Sequence, residues 1–338
     1  MSICIPTCNF GKSIGETLES IISQAPNEVE IIIVDGASTD NTPEVVGDYS
    51  RRFPRINYYR LDKKGGIDRD MAKSVELARG KYCWLFSADD IMKKHALAKI
   101  LKEVEQGHDI YLCGLTQCDF DMRPIEEHPV LNAPAGAEFE LKTGQDRTEY
   151  FTRAETTTAF FSFCGSLIFK KSRWDDIPFV EEFDGSCWAH VARIFQMIPG
   201  GLRIKYLPES FLYKRGDNDS FADKGIVHRL WIAVNGYNRL ANAYFGGNSM
   251  EAYHIRRAVR NEYSLTALLY MKMQAHENRD SENAELLDRL VSELYRDPTL
   301  SNRYHHLTYR MIPVPVLRSA NKTIRWLKSL ASSTRAAA

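Results

Sequence analysis

The spacing of apolar and polar residues changes along this chain. Over the first 115 residues, short apolar runs alternate with stretches of helical spacing. Ile3-Cys4-Ile5 reads as a strand ended by Pro6. Leu18, Ile21 and Ile22 then recur at helical spacing behind Ser13-Ile14-Gly15-Glu16, a pattern that fits a capping box. Residues 29–34 read as a buried strand, with Ile31-Ile32-Ile33-Val34 apolar on both faces. Pro43 suits the first turn of the next helix. Further strands are expected at 56–61, 82–86 and 110–115, separated by helices at 69–78 (stopped by Gly80) and 95–106 (stopped by Gly107).

Such alternation implies crossover units and a largely parallel sheet, which receives its ligand outside the carboxyl ends of the strands. Here those ends are Pro6-Thr7, Asp35-Gly36 and Ser87-Ala88-Asp89-Asp90. Residues 120–225 are less regular, with a short strand at 165–169 and a helix at 186–197. From 226 onward helical spacing dominates. The expected organisation is an α/β domain over 1–225, with halves 1–120 and 121–225, followed by an α-helical region over 226–338.

Composition narrows the classes. Lys and Arg number 44, as do Asp and Glu, so net charge is zero and a general nucleic-acid binder, which needs a basic footprint, is not expected. The seven cysteines form no CxxC pair, and several lie in apolar runs such as Tyr82-Cys83-Trp84-Leu85. Reduced, buried thiols of a cytoplasmic protein are the expectation. No basic segment followed by an apolar one opens the chain, and no apolar run reaches about 18 residues, so neither a signal peptide nor a spanning helix is expected.

Three segments can carry chemistry. Asp89 and Asp90 at a strand end suit a hard divalent cation shared with substrate phosphates; alone, they read sooner as a solvated turn before a helix. Asp35 can accept from uracil N3–H or the cytosine amine, or simply shape a turn whose Asp40 caps the next helix. In Gly65-Gly66-Ile67-Asp68-Arg69-Asp70 the glycines permit close approach of a ligand, with Asp68 and Arg69 in reach of ribose or phosphate; a loop and helix cap is the plainer reading.

In this order and spacing the segments resemble the nucleotide-sugar half of family 2 glycosyltransferases of the GT-A fold. Ile3-Cys4-Ile5-Pro6-Thr7-Cys8-Asn9 is similar to that family's first strand and loop. Val34-Asp35-Gly36-Ala37-Ser38-Thr39-Asp40 is similar to its second motif, and Ala78-Arg79-Gly80-Lys81-Tyr82 leading to Ser87-Ala88-Asp89-Asp90 to its third. The resemblance implies a nucleotide-sugar site at Pro6, Thr7, Asn9, Asp35, Asp68, Arg69, Ser87 and Asp89. It places Asp35 at the base and the metal, Mg2+ or Mn2+, on Asp89 and Asp90. Ser87 departs from the family, where another Asp is common.

The second half is similar with more departures. Arg193 fits an Arg that the family carries on a helix, but the acidic pair ahead of it falls on Ser186-Cys187. That stretch resembles the O-antigen transferases that add dideoxyhexoses, the abequosyltransferases. Candidates for the base are then His190, whose ordinary pKa suits the task, and Asp184, with Glu181 and Glu182 as outside candidates. Tyr213-Lys214-Arg215-Gly216-Asp217-Asn218-Asp219-Ser220 resembles the loop that closes over the diphosphate, which would put Arg215 and Lys214 on phosphate.

Near the C-terminus, Leu317, Ala320, Ile324, Leu327 and Ala331 share one helical face, with Arg318, Lys322, Arg325 and Lys328 on the other. A basic amphipathic helix over 316–331 suits an anionic membrane surface, or packs on its own domain. The function expected is inverting transfer of a hexosyl group from a CDP- or UDP-linked sugar to a lipid-linked oligosaccharide, with the protein peripheral on the inner face of the membrane. The rival is a catalytically inactive sugar-nucleotide-binding or scaffold protein. A dinucleotide oxidoreductase lacks its GxGxxG, and a nucleotidyltransferase its Gly-rich basic loop, after the first strand.

Overall fold

A computed structural model of the chain describes residues 1–218, 221–277 and 280–319. The chain divides into two compact units, Met1–Asp219 with Arg239–Ala258, and Ser220–Asn238 with Val259–Ala338.

The first unit is built on a sheet of β1 (Ser2–Thr7), β2 (Glu30–Asp35), β3 (Ile56–Arg60), β4 (Tyr82–Leu85), β5 (Ile91–Met92), β6 (Ile110–Cys118), β7 (Pro124–Glu127), β8 (Glu138–Glu140), β9 (Leu167–Lys170) and β10 (Arg203–Lys214). Their order is β3-β2-β1-β4-β9-β6-β10-β5, with β7 on β6 and β8 on β10. β1 to β4 run parallel, with Thr7 beside Asp35 and Asp35 beside Arg60. β9 enters antiparallel between β4 and β6, so β6 and its parallel neighbour β10 point the same way as β1.

Helices α1 (Ile14–Ile22), α2 (Thr42–Arg52), α3 (Ile67–Glu76) and α4 (Ala96–Val104) follow the early strands. Ile3, Ile5, Ile31, Ile33, Trp84 and Phe86 form one core with Leu18, Ile21, Val46, Leu97 and Ile100. Cys4, Ile32 and Val34, which alternate with them, are buried too, and α3 packs on β1 and β2. Both faces of these strands are therefore covered, which is why Ile31-Ile32-Ile33-Val34 is apolar without alternation.

Three local expectations are corrected. Ser13 makes no capping box: its hydroxyl donates to the carbonyls of Phe10 and Ala88, each at 3.4 Å, and Glu16 instead pairs with Arg215. The helix expected at 186–197 is α7 (Ala189–Met197), starting late because Cys187 has φ 72°. Strand β10 has no counterpart in the sequence reading. Pro208 interrupts its apolar pattern, and a Pro within a run argues against a strand. The structure accommodates Pro208 at register shifts between Leu207 and Ser210 and between Ser210 and Tyr213. There the strand's backbone presses on β6: a side chain at Gly114 would place its Cβ 2.3 Å from the Pro208 carbonyl oxygen. Gly114→Ala is therefore expected to destabilise the fold by about 1–3 kcal/mol, as overpacking does, read as a fall in the urea midpoint at unchanged m-value.

Between β8 and β9 lies α5 (Gly144–Arg153), opened by a true capping box of Thr143 and Asp146; α6 (Lys171–Asp175) follows β9. The chain then enters α8 (Gly225–Tyr244) and α9 (Met250–Glu262). The end of α8 and most of α9 belong to the first unit: Arg257 donates to the carbonyls of Phe151, Thr152 and Ala154, and Phe245 packs on Phe151 and Phe195.

The second unit contains α10 (Leu265–Glu277), α11 (Ser281–Leu294) and α12 (Leu300–Met311). They bury Leu268, Met271, Leu287, Leu290, Val291, Leu294 and Tyr309. Lys272 donates to the carbonyls of Tyr309 and Ile312, and the Tyr309 hydroxyl to Asp288 at 2.7 Å. From residue 320 onward the expected amphipathic helix lies outside the described residues. Among the described residues no helix is long and apolar enough to cross a membrane.

Candidate active site

The carboxyl ends of β1 and β2 meet in a laced pair of loops. Asn9 adopts φ 64°, donates its N–H to the Ser38 hydroxyl (2.8 Å) and accepts from the Thr39 N–H (2.7 Å). Asp40 accepts from the N–H groups of Gly11 (2.9 Å) and Thr42 (3.0 Å), tying the same loops together at the start of α2. Asn9 thus builds the rim of the site. Asp35 is wholly buried; Oδ1 accepts from the Ser38 N–H (2.8 Å) and Oδ2 from the Tyr58 hydroxyl (2.6 Å). Burial and this carboxylate raise the pKa of the Tyr58 hydroxyl. Each Asp35 oxygen keeps a lone pair for one more donor. The neighbouring Thr7 hydroxyl is buried with no hydrogen-bond partner in the protein, and Pro6 is a buried β1 residue paired with Val34.

The acidic pair follows β4. Ser87 donates its hydroxyl to Asp89 Oδ1, and Asn218 donates to Asp89 Oδ2 at 2.8 Å. Asp90 Oδ1 accepts from the Arg215 N–H at 3.0 Å, while its Oδ2 is buried without a partner. Burial, with Asp89 adding to it, pushes the Asp90 carboxyl up to about 8. The expected placement of Arg215 on phosphate is revised by its contacts: Nε donates to the Asp89 carbonyl (3.0 Å), Nη1 to the Phe120 carbonyl (2.7 Å), and Nη2 to Glu16. Its side chain fastens the loop over the acidic pair. Gly216 lets that loop approach β6, since a Cβ there would lie 2.3 Å from the Cys118 carbonyl oxygen. Lys214 instead sits 5.1 Å over the Phe163 ring.

These residues fit a hard cation. Two carboxylates lie side by side, one with a buried oxygen that has no hydrogen-bond partner in the protein. No group of three His, Cys, Asp or Glu side chains suited to a metal occurs among the described residues, so the remaining ligands would be substrate oxygens and water.

Asp68 is committed elsewhere. Its buried carboxylate accepts from the N–H groups of Cys187 (2.9 Å) and Ala189 (3.0 Å), capping α7 from the start of α3, which removes it from the expected contact with ribose. Arg69 likewise is held by Asp184 (2.7 Å) and Glu181 (2.6 Å), with its guanidinium 5.0 Å over Phe179. Asp70, which the sequence reading assigned no role, is pressed between Gly36 and Gly65; its Oδ1 is buried without a partner, and burial raises its carboxyl to about 6. A cavity of about 1000 Å³ beside α3 is lined by Asp70, Arg69, Trp174, Phe179 and Arg193 among others, but not by Asp35, Asp89 or Asp90. Volume and chemistry thus point to different places, and the orphaned oxygens at the strand ends decide in favour of the latter.

His190 is placed as a core histidine. It is buried on α7, Nε2 lies 3.0 Å from the Phe161 carbonyl oxygen, Nδ1 has no partner, and burial lowers its pKa to about 4. A ring tied to a carbonyl and closed off from solvent is a poor acceptor for a substrate proton. Asp184 is the more open candidate, with 32% of its side chain exposed. Arg193 stacks 4.4 Å over Trp174 and donates to that residue's carbonyl. Tyr58, Asn218 and Glu16 complete the site without having been assigned to it from sequence: Glu16 read as part of a capping box, and Asn218 lies in the 213–220 loop.

Comparison with known proteins fits this geometry. The pattern of "Glycosyl transferase family 2" matches residues 2–175. The chain is 32% identical to the abequosyltransferase RfbV of Salmonella typhimurium strain LT2, over 96% of this chain and 99% of that protein. It is 23% identical to the GalNAc(5)-diNAcBac-PP-undecaprenol beta-1,3-glucosyltransferase of Campylobacter jejuni, over 85% of each. Residues 1–349 of S. aureus TarS, solved with UDP-GlcNAc, share the fold at 15% identity, with TM-score 0.61, 95% of this chain and 91% of that chain covered. A GT-A sheet with acidic strand ends, matched to one family along more than half its length, leaves one conclusion: the chain belongs to glycosyl transferase family 2 and is a glycosyltransferase of that type.

Proposed function

We propose that this enzyme transfers a hexosyl group, a dideoxyhexose by its likeness to the abequosyltransferase, from a CDP- or UDP-linked donor to a hydroxyl of a lipid-linked oligosaccharide, with inversion. The observation that carries the reading is the acidic pair under the Arg215 loop, with Asp90 Oδ2 buried and unpartnered at the end of β4. A divalent cation held by Asp89 and Asp90 would neutralise charge on the departing diphosphate. Asp35 presents lone pairs to the base, and the Arg215 loop covers the acidic pair. The acceptor oxygen attacks the anomeric carbon, the bond from that carbon to the diphosphate oxygen breaks, and the acceptor proton passes to a base.

Asp184 is favoured as that base over His190, because its carboxylate, though paired with Arg69, reaches solvent while the His190 ring is buried. Asp184→Asn is expected to lower kcat by about 10²–10⁴-fold at unchanged donor affinity. His190→Ala should retain turnover but melt earlier, by about 2–4 °C per kcal/mol lost. The reverse pattern returns the role to His190.

A thermal-shift screen of CDP- and UDP-sugars, each with and without Mn2+ or Mg2+, tests the site, since a ligand that binds only the folded state raises its stability. The cation-dependent shifter should then be turned over with a lipid-linked acceptor. Binding without turnover of any donor would establish the rival, an inactive sugar-nucleotide-binding protein, which the absence of an acidic pair at Ser186-Cys187 favours.

A further inference from the structure

Helix α12 exposes an unusual face. Leu300, Tyr304, Leu307 and Met311 are 84%, 66%, 61% and 71% exposed. At about 100° per residue they fall within one narrow arc, opposite the buried Asn302 and Tyr309. Val316, just beyond the helix, is 56% exposed. A contiguous apolar stripe of this kind marks an interaction surface. Arg303 and Arg310 flank it, exposed, and neither makes an ion pair among the described residues.

The sequence around the stripe says what covers it. After Asp297 the chain contains no Asp or Glu at all, whereas Arg303, Arg310, Arg318, Lys322, Arg325, Lys328 and Arg335 are basic. A balanced protein with 44 charges of each sign thus ends in a 41-residue stretch of one sign. A second copy docking on the same stripe would set one basic patch against another with no acidic residue of this stretch to offset it, because a two-fold interface uses the same surface on both copies. A surface of negative charge over hydrocarbon satisfies both features at once.

We propose that the α12 stripe is a docking surface for an anionic membrane: Leu300, Leu307 and Met311 enter the boundary between headgroups and acyl chains, Tyr304 lies at headgroup level, and Arg303 and Arg310 meet lipid phosphate. This goes beyond the membrane role expected of 316–331, since it assigns the contact to α12. It suits a lipid-linked acceptor, but its test needs neither donor nor turnover.

Full-length protein is mixed with vesicles of phosphatidylcholine and phosphatidylglycerol in a two-to-one ratio, and with phosphatidylcholine alone, and sedimented. Wild type should bind the anionic vesicles at low salt and be released at high salt, where exposed charges are screened. Leu307→Gln with Met311→Gln, and separately Arg303→Gln with Arg310→Gln, should each weaken binding by roughly tenfold or more. All four positions are exposed, so both variants should melt like wild type. Binding unchanged in both variants would overturn the proposal and leave vesicle attachment to residues beyond 319. A wild-type dimer in analytical ultracentrifugation that Leu307→Gln with Met311→Gln dissolves would overturn it in favour of a second copy.

Discussion

Replacing Asp90 by Asn is expected to cut cation-dependent turnover severely while making the cation-free protein more stable at pH 8. Losing one group that stabilises developing charge lowers kcat by about 10²–10³-fold. Stability should move the other way, and the sign follows from proton binding. In the unfolded chain the Asp90 carboxyl titrates near the ordinary value of about 4. In the folded protein burial and Asp89 hold it up to about 8. Between these values the folded state binds more protons than the unfolded one, so stability falls as pH rises through the window. Asparagine carries no such charge, and the dependence should vanish. Melting curves of wild type and variant from pH 4 to 8, without and with Mn2+, check this: the cation should raise the wild-type transition at pH 8 and leave the variant unmoved. A variant that melts earlier than wild type at pH 8, or turns over normally, would contradict the placement of Asp90.

Asp68→Ala should do the opposite, damaging the fold more than the chemistry of the acidic pair. It strands two N–H groups at the start of α7, those of Cys187 and Ala189, in a buried place. Hydrogen bonds to a charged group contribute about 1.5–3 kcal/mol, so a loss of about 2–3 kcal/mol is expected, shared because both accept on one carboxylate. For a unit of this size that is a fall of roughly 5–10 °C in Tm. Asp68→Asn keeps one acceptor oxygen and should lie between. Donor affinity, measured by titration below the transition, should stay within a few-fold of wild type, because Asp68 bonds the protein and not the nucleotide. A large loss of donor affinity with an unchanged Tm would restore Asp68 to the ribose contact that its sequence position suggested.

Periodicity and turn chemistry determined much of this protein by themselves. The double-sided apolar run at 31–34 reads as a covered strand, and the acidic residues at 35, 89 and 90 fall at carboxyl ends of strands, because alternating strands and helices imply crossovers and a parallel sheet. Family membership rested on those same local motifs. What tertiary structure decided were contacts between residues far apart in sequence. β10 has a Pro in its middle, accommodated at register shifts against β6, where Gly114 lets the two backbones approach. Asp68 reads as a ligand-binding residue until α7, 119 and 121 residues further on, takes both of its oxygens. His190 reads as a base until the Phe161 carbonyl and the surrounding core claim it. Arg215 reads as a phosphate ligand until Glu16, in the first turn of α1, draws it away. A side chain's chemical capacity is written in its identity, but which partner consumes that capacity depends on packing, and packing partners separated by 100 residues leave no local signature in the sequence.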